Sequence, residues 1–119
     1  MPITIVFQHI SKSTVTAALA SHIGEANGIH ARELAIALVG GNAGAVAERR
    51  LRQVITELRM DGQHICGTPE AGYFLATDAA ELNKTCAFLY DRAMASLQQV
   101  ACMKRVSLPD LRGQLHLPT

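Results

Sequence analysis

Residues 47–74 read AERRLRQVITELRMDGQHICGTPEAGYF. The first half carries a helical pattern. Ala47, Leu51, Val54, Ile55 and Leu58 fall within a sector of about 100° when successive residues are about 100° apart. Asp61-Gly62 closes that helix, which is expected over roughly 46–60. The second half changes period. Two short apolar runs, 64–66 and 73–75, flank a turn rich in Gly, Pro and small residues, the pattern of a β-hairpin. The stretch therefore predicts a basic helix that passes directly into a hairpin.

On the N-terminal side the sequence predicts two more helices. Val15, Ala18, Leu19, His22 and Ile23 share a face, with Ser11 or Ser13 as cap and Asn27-Gly28 as stop, so a helix is expected over 13–26. His22 is expected as a partly buried helix residue. Ala31, Leu34, Ala37 and Leu38 share a second face, and Gly40-Gly41 ends that run. His30 takes its cap position and Glu33 the carboxylate position of a capping box, and Ile29 just before it is expected as one residue of a short strand. Residues 3–7, ITIVF, are too few to choose between a short strand and an anchored arm, so 1–12 is an N-terminal arm or strand.

On the C-terminal side Asp78 caps a long helix over about 78–105, with Glu81 at its capping-box position. Its stripe is Leu82, Cys86, Leu89, Ala93, Leu97 and Val100. Phe88 lies about 200° from that stripe, which suggests a second contact surface. The tail, 106–119, carries leucines broken by Pro109 and Gly113. A homodimer through Phe88, Leu89, Arg92, Leu111 and Leu115 is expected.

Composition narrows the classes. The 119 residues suit one domain with a short appendage, and a chain of that length can bury a core without disulfides or metal. Three cysteines without a CxxC spacing argue against a disulfide framework. His64 and Cys66 would share a strand face as two zinc ligands, but no second pair closes the site. No nucleophile elbow, phosphate loop or paired-carboxylate motif is present. The expectation is a protein without catalysis, cofactor or metal. The N-terminal apolar run is too short for a membrane span or a secretory leader, so a cytoplasmic protein is expected.

The succession of elements resembles the winged helix-turn-helix family over residues 15–76. ARELAIAL, 31–38, is similar to the family's second helix. ERRLRQVITELRMDG, 48–62, resembles its recognition helix, and HICGTPEAGYFLA, 64–76, its wing, with a Gly72-Tyr73 step like that of the biotin-operon repressor type. The segment is also similar to small phage or prophage proteins. The resemblance implies an α+β, mostly α, winged helix-turn-helix fold over 13–77 with a long C-terminal helix, the third helix lying in the major groove of double-stranded DNA.

The residues themselves supply a face for that role. With the leucines inward, Arg49, Arg52, Gln53 and Thr56 project outward, with Arg50 and Met60 at the edges. Arg and Gln pair bidentately with guanine and adenine edges. Arg32, His64 and Thr68 are candidate phosphate contacts. Charge argues for restraint. The net charge of the chain is +1, Glu48, Glu57 and Asp61 offset most of the helix's arginines, and the hairpin carries Glu70 and no Lys or Arg. A monomer should therefore grip DNA only modestly. A protein–protein adaptor is the rival expectation.

Overall fold

The computed structural model describes residues 3–105 and Pro109. Its elements run α1 (Ile3–His9), α2 (Lys12–Leu19), a single 3-10 turn (Glu25–Asn27), α3 (Ala31–Val39), α4 (Gly44–Met60), β1 (Ile65–Thr68), β2 (Gly72–Leu75) and α5 (Ala79–Lys104). The chain is thus α+β and mostly helical, with one antiparallel hairpin and a long C-terminal helix. No helix among the described residues is long and apolar enough to cross a membrane. The chain divides into two units, Met1–Thr85 and Cys86–Thr119, with α5 beginning in the first.

The core of the first unit is organised by α4. Ala47, Leu51, Val54, Ile55 and Leu58 are all buried, as their spacing predicts. They pack with Val15 and Leu19 of α2, Leu34 and Ala35 of α3, and Ile65 of β1. Each leucine or isoleucine fully removed from water here contributes about 1.5–3 kcal/mol. On α3 the inward alanine is Ala35, whereas Ala37 is exposed, so the expected face is rotated by part of a turn.

The N-terminal segment is neither arm nor strand. Residues 3–9 are helical, and Val6 and Ile10 are completely buried in the same core. Five β-branched and aromatic residues form a helix here because burial of Val6 and Ile10, four apart on one face, outweighs a weak local preference. Ser11 then ends α1 and caps α2. Its hydroxyl accepts from the Thr14 N–H, and the Thr14 hydroxyl oxygen accepts from the Ser11 N–H.

The expected helix over 13–26 stops at Leu19. Beyond it the chain leaves the helix to pair with β2. The Leu75 N–H donates to the His22 carbonyl (2.8 Å) and the Gly24 N–H to the Leu75 carbonyl (2.8 Å). Ile29 and Tyr73 exchange both backbone bonds, at 2.9 and 2.8 Å. The free edge of β2 is thereby satisfied by the segment that precedes α3. His22 is half-buried outside any helix, its Nδ1 2.8 Å from the Asn27 carbonyl oxygen.

The close approach of those two segments depends on glycine. A Cβ at Gly72, whose φ is +78°, would stand 2.5 Å from the Ile29 carbonyl carbon, and a Cβ at Gly28 would run into the Ala71 carbonyl. Gly72 also ends the three-residue turn Pro69-Glu70-Ala71, where a left-handed residue returns the chain to the ladder. The Thr68 hydroxyl accepts from the Ala71 N–H and holds the turn from within (2.9 Å).

The hairpin is covered on both faces within the first unit. Ile65, Tyr73 and Leu75 face the helical core. On the other face Cys66 pairs across the strands with Phe74, and both are buried. The Cys66 thiol donates to the Glu81 carbonyl of α5, and the Gly67 N–H to the buried Thr85 hydroxyl.

The start of α5 is fastened by Glu81. Its carboxylate accepts from the Thr77 N–H (2.8 Å) and, with its other oxygen, from the Glu25 N–H (3.0 Å), while Asp78 accepts from the Glu81 N–H. Asp78 thus caps α5 as expected, while the returning bond of the capping box falls one residue further out, on Thr77, and Glu81 reaches on to the 3-10 turn. Those two backbone donors hold the Glu81 carboxyl below its ordinary pKa. A lowered folded-state pKa stabilises above the unfolded value and ceases to do so as pH falls through the folded one. Glu81→Gln is therefore expected to lower the melting temperature at pH 7, with the gap to wild type closing as the buffer is taken below the ordinary glutamate range. A constant gap from pH 7 to 3 would show that the charge is not what counts.

Candidate nucleic-acid interface

The outward face of α4 carries the strip expected of it. Arg49, Arg52, Gln53 and Thr56 are all exposed, opposite the buried line from Ala47 to Leu58. Val46 at one end and Met60 at the other are exposed on the same side, at 51% and 83%. Positions 46, 49, 53, 56 and 60 follow one another at intervals of three and four, so they form one line along the helix.

The four arginines of α4 divide into two kinds. Arg49 and Arg52 point outward. Arg50 does not stand at the edge of the strip: its Nε–H donates to the Ile10 carbonyl (3.1 Å) and its guanidinium lies over the Phe7 ring, 4.5 Å from the centroid. It satisfies the end of α1. Arg59 is turned the other way, donating to the Ile65 carbonyl (2.8 Å) with its guanidinium 6.0 Å from the Tyr73 ring centroid, and so ties α4 to the hairpin. Half of the apparent basic charge is therefore structural.

The remaining cations are few. Arg52 lies 3.6 Å from Glu48, one turn back on α4, a pair too exposed to be worth much. Lys12 is held by Asp61 at 2.8 Å, which raises its pKa and occupies it. Arg49 and Arg32 make no ion pair among the described residues. Arg32 is exposed on the first turn of α3, whose cap residue His30 makes no side-chain cap bond. The Thr56 hydroxyl donates to the Arg52 carbonyl of its own helix (3.0 Å), which leaves its methyl group and a lone pair outward.

The hairpin offers less. His64 is exposed one residue before β1 and lines a shallow depression with Asp61, Gly62, Gln63, Leu75 and Ala76. Thr68 is half-buried and its hydroxyl already serves the turn. Glu70 is exposed at the tip. His64 and Cys66 do not form a ligand pair on one face, because His64 is exposed and Cys66 is fully buried toward α5.

In the second unit, Phe88 and Leu89 of α5 are 44% and 40% exposed, and the Arg92 guanidinium lies 5.7 Å from the Phe88 ring centroid. The expected stripe is displaced: Cys86, Leu89 and Ala93 are exposed, and the shielded line is Met94, Leu97, Val100 and Ala101. Leu111 and Leu115 lie outside the described residues.

Two residues of α4 were not assigned from the sequence, Val46 on the exposed line and Arg59 as a structural tie to the hairpin. Val46 sits three positions before Arg49 on the same line, a spacing visible in the sequence. Arg59 gave no such sign, since its partner is a carbonyl fixed only by the hairpin. Comparison of the chain with protein-family models, with curated proteins and with solved structures gave no match.

Proposed function

We propose that this chain is a winged helix-turn-helix protein that binds double-stranded DNA through α4, as a homodimer, in the cytoplasm of a bacterium or in phage infection. It would serve transcriptional control or the initiation of replication. The observation that carries this reading is the strip Arg49–Arg52–Gln53–Thr56, exposed opposite the core of a helix that leads directly into a hairpin. The pairing of residues 22–29 with β2 supports it, because it holds the hairpin against the helical core that presents α4. Dimerisation through the Phe88–Leu89–Arg92 surface would supply what one copy lacks, since two modest sites on one duplex act together.

Salt dependence tests both parts. On nonspecific duplex, where Arg49 holds no base, Arg32, Arg49 and Arg52 can neutralise about three phosphates, so log Kobs against log salt should fall with a slope of about −3 for one copy and about −5 for two. Between 50 and 200 mM salt that is a loss of about fortyfold or about 10³-fold respectively. If no duplex from a random library binds at 50 mM salt, the DNA reading is wrong.

A second reading has its own observations. Exposed Val46 and Met60 at the two ends of the α4 strip, with Glu70 on the hairpin tip, suit a protein partner better than a phosphate backbone. Under that reading the chain is an adaptor in a replication or host-takeover assembly.

A further inference from the structure

We propose that Val46 reads the methyl group of a thymine, placed beside the base held by Arg49. This rests on the DNA-binding reading of α4 and adds a residue that determines sequence preference.

Val46 lies in the first turn of α4 and is half exposed. Residues at the N-terminal end of a recognition helix are the ones that meet base edges. The major groove shows donors and acceptors at every base pair but a single kind of apolar group, the thymine C5 methyl. A valine pressed against any other edge would strand a polar group without a partner. Its β-branched side chain is already confined to one rotamer in a helix, so little entropy is lost in fixing it there.

The spacing fits a short run of bases. Val46 precedes Arg49 by about 4.5 Å along the helix axis, and Arg49 precedes Gln53 by about 6 Å. The three side chains leave the helix within a sector of about 60°. Those intervals correspond to one or two base-pair steps of about 3.4 Å. The order along the groove is then thymine, the guanine paired with Arg49, and the adenine paired with Gln53. Thr56 and Met60 fall further along, where the helix leaves the bases, and the Thr56 hydroxyl is engaged by its own backbone.

The test uses the full chain and duplexes selected from a random library. Deoxyuridine in place of the selected thymine deletes only the methyl group. With wild type the change should weaken binding about fourfold, the worth of about one buried methyl or methylene group. With Val46→Ser, a surface change that should leave the melting curve in place, thymine and deoxyuridine should bind alike. A selected motif without thymine beside the Arg49 base overturns the proposal. So does a methyl effect that persists in Val46→Ser, or none in wild type. In each of those cases DNA is still bound. Failure to select any duplex removes the DNA reading itself, and this proposal with it.

Discussion

Gly72→Ala should cost about 3–5 kcal/mol of folding stability, a large share of the about 5–15 kcal/mol that a domain has in total. Two separable effects meet at this position. The backbone sits at φ +78°, where an L side chain pays about 1–2 kcal/mol. The new Cβ would also stand 2.5 Å from the Ile29 backbone, which cannot retreat without breaking the paired Ile29–Tyr73 hydrogen bonds. Other glycines isolate the terms. Gly40 has φ +86° with nothing within 4 Å of a Cβ, so Gly40→Ala should show the conformational cost alone. Gly28 has an ordinary φ of −63° but abuts the Ala71 backbone, so Gly28→Ala should show the steric cost alone. Urea midpoints at unchanged m-value measure all three. If Gly72→Ala falls within 1 kcal/mol of wild type, the junction between residues 22–29 and the hairpin is looser than its geometry implies.

What that junction does could not be read from the sequence. The helix was legible over 46–60, two residues short of its observed start at Gly44, because five buried positions repeat at helical spacing and a single face explains them all. The hairpin was legible because Gly, Pro and apolar pairs mark its ends. Of the strand-like stretch before α3, Ile29 was legible as a strand residue and pairs with Tyr73, whereas the part around Ile23 was hidden inside an apparently helical pattern. Ile23 continues the face of Val15 and Leu19, yet it is 51% exposed and its backbone belongs to β2. Periodicity registers side chains, whereas this segment is placed by backbone bonds to residues about fifty positions away. The same limit applies at α1. ITIVF has strand-like composition, but the decisive fact is that Val6 and Ile10 reach the core built by α4.

The site was legible in the same uneven way. A helical wheel separates Arg49, Arg52, Gln53 and Thr56 from the core, because it needs only the position of each residue on its own helix. It cannot assign Arg50 and Arg59. Both are half-buried, and both are claimed by carbonyls of other segments, Ile10 and Ile65. Counting arginines thus overstates the charge available to phosphate. Of the candidate contacts, only Arg49 and Arg32 remain as cations without a counter-ion among the described residues, with Arg52 shared with Glu48.

Arg49→Ala combined with Gln53→Ala should reduce specific DNA binding by about 10²–10³-fold, since each bidentate base pairing carries about 1–3 kcal/mol of discrimination. Neighbouring contacts rarely add in full, which keeps the figure below the sum of two separate losses. Nonspecific binding should fall far less, by about the share of one phosphate contact, because Arg32 and Arg52 remain. Both replaced side chains are exposed and make no ion pair among the described residues, so the melting curve should hardly move. Arg59→Ala provides the contrast within the same helix. It removes the donor to the Ile65 carbonyl and should lower stability by about 1–3 kcal/mol while leaving the base-reading strip intact. Competition binding against random duplex, with thermal melts of each variant, separates the two kinds of arginine. An Arg49–Gln53 variant that keeps its preference for the selected sequence would mean that α4 is not the reading helix, and the exposed Val46 and Met60 would then mark the surface of a protein partner.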